Sequence, residues 1–201
     1  MFRFIKRTIA IGFLVFLSFQ LFTIHQNVTN VLSYRPLVEE ILAENDSTTN
    51  EDLILAMIYT ETKGQEADLM QSSESSTGVA NSITDSRESV RQGVTVLSEN
   101  LEKANEYDTD AWTAIQAYNF GSAYINYVAK HGKKNTIDLA KDYSQTVVAP
   151  SLGNKSGDTY RYYNPVALFY GGGELYRNGG NIYYAKQVQF NLFLIKLMSR
   201  F

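Results

Sequence analysis

The stretch MIYTETKGQEADLMQSSE, residues 57–74, closes an apolar run with a carboxylate. Upstream of it, Leu53, Ile54, Met57, Ile58 and Glu61 recur at spacings of three and four, which predicts a helix with one buried face. STTNED, residues 47–52, supplies cap candidates and early acids for its start, and Gly64 a stop. Glu61 therefore falls on the buried face and in the last turn, where the helix end is partially negative. Both placements disfavour the ionised form; the helix-end part is worth at most about 1 kcal/mol at an exposed site. A carboxyl held protonated near neutral pH can give its proton to a leaving oxygen. The plainer reading is a helix-boundary residue with Lys63 beside it.

The rest of the composition narrows the chemistry. Apolar residues make up 44% of the 201 and charged residues 19%, enough for one ordinary core. Setting aside Arg3, Lys6 and Arg7 leaves 15 of the 18 basic residues against 21 acidic ones, a net charge of −6, unsuited to nucleic acid. HGKK at 131–134 reads as a solvated turn. There is no cysteine, and His25 and His131 lie in no motif, so neither nucleophile–histidine catalysis nor a metal site is supported. GGG at 171–173 lacks the form of a phosphate loop, and no cofactor is implied. What remains, carboxylates and aromatics, is the equipment of sugar chemistry. Seven of the fourteen tyrosines lie between residues 160 and 184. Their flat faces with polar tips suit a glycan groove, Tyr163 among them, or pack a loop on the helices.

The N-terminus is a separate object. MFRFIKR is basic, and residues 8–24 are uncharged and almost wholly apolar, about 25 Å of helix. No small-x-small site follows, so the segment reads as an uncleaved anchor with a cytoplasmic N-terminus. The expected division is a cytoplasmic tip and transmembrane helix over 1–25, a stalk over 26–34, and an outer domain over 35–201. In that domain Pro36 opens a helix, Asp85-Ser-Arg-Glu88 resembles a capping box, and DTDAWTAIQAY (108–118), 135–150 and about 183–198 read as further helices. No sustained period-two pattern occurs. The fold class is mainly α, with long loops at 64–84 and 151–182.

Two further motifs follow the glutamate: DLMQ at 68–71 and AYNFG at 117–121. A helix-end glutamate, then xLMQ, then AYNxG resembles the lysozyme-like superfamily of soluble lytic transglycosylases and goose-type lysozymes. Typical transglycosylases have serine after the glutamate, where this chain has Thr62, and a longer loop with GAxGLMQ. The shortened ETKGxxxDLMQSSES is similar to the lysozyme-like domains of Gram-positive bacteria, and to small anchored streptococcal surface proteins over nearly the whole chain. The resemblance implies a lysozyme-like helical domain behind a transmembrane helix. It implies Glu61 as catalytic acid, Gln71 and Ser72 along the sugar groove, and Tyr118 and Asn119 beside the cleavage site.

The implied substrate is the peptidoglycan glycan strand, cut between N-acetylmuramic acid and N-acetylglucosamine. Hydrolysis, as in a muramidase, calls for a second carboxylate, for which Glu74 is the first candidate and Asp68 and Asp85 weaker ones. A lytic transglycosylase reuses the one glutamate and leaves anhydro ends. A wall-binding surface module with an idle site, or an accessory to other cell-wall enzymes, stays open.

Overall fold

A computed structural model describes residues 2–45, 47–73, 78–79 and 82–200. The chain is mainly helical. Helix α1, Phe2–Leu32, is a single rod of 31 residues, long and apolar enough to cross a membrane. Its apolar side chains from Phe4 to Phe22 are exposed. The expected stalk does not exist as such. The rod continues through residue 32 and packs on the domain, with Val28 and Val31 fully buried. The Asn30 side-chain amide donates to the carbonyls of Lys63, at 2.9 Å, and Gly64, at 2.8 Å. The reason is a short apolar face, Val28, Val31 and Leu32, set one turn apart in a segment whose other residues are polar.

Helix α2, Arg35–Glu44, carries proline in its first turn. Helix α3, Glu51–Glu61, is capped by the Asn50 side chain, which accepts from the Leu53 amide. The Arg35 guanidinium reaches Glu51 and Asp52 in the first turn of α3 and Ser199 near the chain's end. Helix α4, Ser86–Glu106, is capped by Asp85, which accepts from the amides of Arg87 and Glu88, and buries Val90, Val94 and Leu97. Asp110 caps α5, Ala111–Phe120; α6 is Ala123–Lys130; Thr136 caps α7, Ile137–Tyr143.

The helix expected over 135–150 is regular only to Tyr143. It widens into a π turn at Ser144–Val148 before the short Ala149–Ser151. Pro150 has no N–H to donate, so the ordinary ladder cannot run through it. The expected loop at 151–182 also holds structure: strands β1, Thr159–Arg161, and β2, Glu174–Tyr176, pair antiparallel around helix α8, Pro165–Gly171. Strands of three residues with largely exposed side chains leave no alternating signature. Helix α9, Tyr184–Met198, completes the fold.

Two cores result. One joins the end of α1 with α2, α3, α4 and α9; the other joins α5, α6 and α7 with the hairpin region. Helix α3 is central to the first: Ile54 through Tyr59 are all buried, so its neighbours enclose it on every side.

The packing of α1 has a measurable consequence. A chain beginning at residue 35 should unfold at clearly lower urea than one beginning at residue 26, because burying each of two valines contributes about 1.5–3 kcal/mol. Equal midpoints would show that the end of α1 adds nothing to the domain.

Candidate active site

Glu61 is the last residue of α3. The chain must turn sharply there, and it does so with Lys63 and Gly64 at φ +55° and +71°. A side chain on Gly64 would come within 2.7 Å of the Asn30 amide, so the position needs glycine for space as well as for conformation. The buried Thr62 hydroxyl donates to the Leu69 carbonyl at 2.9 Å. A serine hydroxyl could make the same bond, so threonine here keeps that interaction.

Beyond the turn, Asp68 organises the loop. It is buried. One carboxylate oxygen accepts from the Ser72 amide at 3.0 Å and the Ser89 hydroxyl at 2.6 Å; the other accepts from the Ser73 amide and hydroxyl. Burial alone would raise its pKa. The Ser73 and Ser89 hydroxyls, with the amides of Ser72 and Ser73, outweigh burial and hold it below the usual carboxylate range. The Ser73 hydroxyl also accepts from the Ile83 amide, which ties the far side of the loop down. Met70 seats against Gly93 in the middle of α4, where a methyl group would come within 2.5 Å of its sulfur.

The acid itself is met from the other end of the chain. Tyr184, in the first turn of α9, donates its hydroxyl to Glu61 Oε1 at 2.6 Å. The Tyr118 ring stacks parallel to Tyr184 with centroids 6.3 Å apart, and its hydroxyl donates to the Met70 carbonyl at 2.9 Å. Burial raises the Glu61 pKa most; the Tyr184 hydrogen bond opposes it and the nearby Asp68 charge adds to it, leaving the carboxyl at about 7. Near neutral pH the Glu61 carboxyl can therefore both hold and release a proton.

The other candidates fall into distinct places. Gln71 sits at φ +49°, an uncommon conformation for a residue with a side chain, and its amide donates to Glu66 at 2.7 Å. Ser72 is buried and its hydroxyl donates to the Ser89 carbonyl, which holds the loop against α4. Asn119 is exposed; its side-chain oxygen accepts from the Asn181 amide at 2.7 Å. Gln116, one turn earlier, donates to the Asn181 carbonyl and accepts from the Ala185 amide. The QAYN segment thus grips the entry to α9 and thereby aims Tyr184. Tyr163 is 81% exposed on the connection between β1 and α8. Glu74 lies outside the described residues. Asp85 is spent on capping α4. Among the described residues no group of three or more metal-ligating side chains occurs.

Sequence reading does not single out Tyr184, one of seven tyrosines in its segment; its partner lies 123 positions away. Ser89 and Gly93 are missed too, although a glycine inside an amphipathic helix is itself a sign of close packing.

A lysozyme-like family profile matches residues 28–192. The chain belongs to the lysozyme-like family. It is 63% identical, over the full length of both chains, to a Streptococcus pyogenes protein named pneumococcal vaccine antigen A homolog. It is 33% identical over 141 residues to the bifunctional muramidase/DL-endopeptidase CwlT of Bacillus subtilis, covering 70% of this chain and 42% of that one. Among solved structures, a lipoprotein-like protein of the NLP/P60 family from Staphylococcus aureus superposes with a TM-score of 0.72 at 36% identity, over 82% of this chain and 52% of that one. The present chain therefore spans about half of that structure. The expected mainly α, lysozyme-like domain behind a long apolar N-terminal helix is what the chain has.

The raised Glu61 pKa makes stability depend on pH. The folded carboxyl, at about 7, binds its proton more tightly than an unfolded one at the usual 4.5. Its contribution to folding is fully present below about pH 4.5 and is lost as pH rises to about 7. Glu61→Gln should remove a loss on the order of 3 kcal/mol across that window. Urea melts at pH 4 and pH 8 read this directly: a wild-type stability change no steeper than the variant's would place the carboxyl in an ordinary environment.

Proposed function

We propose that this chain cleaves the glycan strand of peptidoglycan at the bond between N-acetylmuramic acid and N-acetylglucosamine, with Glu61 as general acid. The observation that carries the reading is the Glu61 carboxyl at the end of a buried helix, its pKa about 7, held by Tyr184 against Tyr118. Glu61 passes its proton to the glycosidic oxygen as the bond from the sugar's anomeric carbon to that oxygen breaks. The leaving sugar departs as a neutral alcohol, and positive charge develops on the ring left behind. Tyr184 then steadies the carboxylate that Glu61 has become, since its hydroxyl donates to the ionised form.

Hydrolysis completes the reaction by adding water, as in a muramidase, with Glu74 the candidate base. The muramidase named in the Bacillus relative supports this ending. The lytic transglycosylase ending, attack by the sugar's own hydroxyl, is favoured by a different observation: Asp68 and Asp85, the other carboxylates considered, are committed to loop and cap hydrogen bonds. The basic residues before the apolar run support a single-pass arrangement with the N-terminus in the cytoplasm and the domain outside, beside its substrate. Other cell-wall enzymes are candidate partners there.

Glu61→Gln should keep the fold and glycan binding but lower turnover by about 10²–10⁴-fold. Retention of more than about a tenth of wild-type turnover would move the acid elsewhere. Glu74→Gln should be nearly as damaging to a hydrolase and mild in a transglycosylase. Mass spectrometry of the released fragments decides the ending, since anhydromuramic termini alone exclude hydrolysis. A binding module would retain wall and release nothing.

Tyr184→Phe gives a separate check through pH. The hydroxyl lowers the Glu61 pKa, so its loss should move the alkaline limb of the activity profile to higher pH. An unmoved limb would detach that limb from Glu61.

A further inference from the structure

Helix α9 turns an apolar row to solvent: Phe190, Phe193 and Leu197 are 45%, 60% and 43% exposed. Their spacing of three and four sets them along one side of the helix. Helix α8 adds Phe169, 83% exposed. Between the two helices lies a groove of about 420 Å³ with largely apolar walls. Exposed apolar patches of this kind mark binding surfaces in soluble domains.

The neighbouring hollows indicate what covers this one. Ile24 of α1 shares a hollow with Phe190 and Leu194, and Leu21 and Ile24 share another with Leu194 and Leu197. Leu21 and Ile24 belong to the last turns of the apolar run at 8–24. The row on α9 therefore stands at the level where α1 leaves the hydrocarbon. There is no spacer to lift it away, since Val28 is already buried in the domain four residues after Ile24, about 6 Å along the helix. Lys196 and Arg200 are exposed at the same end of α9, a placement suited to anionic headgroups.

We propose that the α8–α9 face docks on the outer surface of the membrane that α1 crosses, with Phe169, Phe190, Phe193 and Leu197 in the boundary between headgroups and acyl chains. The docking rests on α1 spanning the bilayer and not on the chemistry of Glu61. Tyr184 lies nine residues, about 13 Å along α9, from Phe193, and its ring is buried in the domain, not on the docking face. Docking thus keeps the Glu61 site close to the membrane surface.

The chain has no cysteine, so single cysteines carrying an environment-sensitive fluorophore can be placed in the full-length protein. Suitable positions are Gln189 on the groove rim, Phe16 in the apolar run, and Lys134 in the exposed turn between α6 and α7. In nanodiscs of phosphatidylcholine and phosphatidylglycerol, brominated acyl chains should quench the labels at 189 and 16 and leave that at 134 unchanged. Phe193→Glu with Leu197→Glu should abolish quenching at 189 alone, with the melting temperature kept. A label at 189 as insensitive as that at 134 overturns the docking. So does a label shielded from water yet unquenched with two chains per disc, which would make a second copy the occupant. A melting temperature that falls sharply would assign the row to the core and overturn it as well. An unquenched label at 16 removes the spanning helix and the docking together. No lytic activity enters the readout, so the outcome is independent of the role given to Glu61.

Discussion

A carboxyl at the end of a helix enclosed on all sides has no partner within its own helix. In this protein the hydroxyl of Tyr184 reaches it from α9, and much of the remaining structure serves that one hydrogen bond. Gln116 and Asn119 hold the backbone just before and at the start of α9. Tyr118 stacks on the Tyr184 ring and pins the Met70 carbonyl. The balance matters chemically. Burial alone would leave Glu61 reluctant to ionise; the tyrosine makes the ionised form accessible, so the proton can leave as well as stay.

Asp68 shows the opposite solution a few residues away. It too is removed from water, but serine hydroxyls and backbone amides surround it and favour its charge. Two carboxylates in one loop region thus have their proton affinities driven apart: burial, only partly offset by one tyrosine hydroxyl, raises Glu61, while hydroxyls and amides outweigh burial and lower Asp68. The charge on Asp68 in turn raises Glu61 further. The same hydrogen bonds shape the loop, so its electrostatics and its geometry cannot be altered independently.

The continuity of α1 with the domain makes its last turns part of the fold. Val28 and Val31 are core residues, and Asn30 satisfies the carbonyls of Lys63 and Gly64, which emerge at the turn directly after Glu61. The long apolar helix therefore helps hold the turn that follows Glu61. Bending between the helix and the domain would open a buried valine pair and leave the two carbonyls without their amide.

The amino-acid sequence by itself determined a good part of this. The apolar run at 8–24, the caps at Asn50, Asp85 and Asp110, the three-and-four spacing that ends at Glu61, and the order of the ETKG, DLMQ and AYNFG segments are local features. Periodicity and capping express themselves within one or two turns of chain, so they can be read without the fold. What only the tertiary structure decided is long-range or compensatory. The Tyr184–Glu61 contact joins residues 123 positions apart. The burial of Ser72, the cage around Asp68 and the seat of Met70 on Gly93 depend on how two helices and a loop come together. The polar look of residues 26–34 suggested a stalk because two valines and a leucine are too few to reveal a packed face until a partner surface is present. The hairpin around α8 was hidden because strands of three residues carry no period. Such pairings arise from packing, and packing is a property of the whole chain.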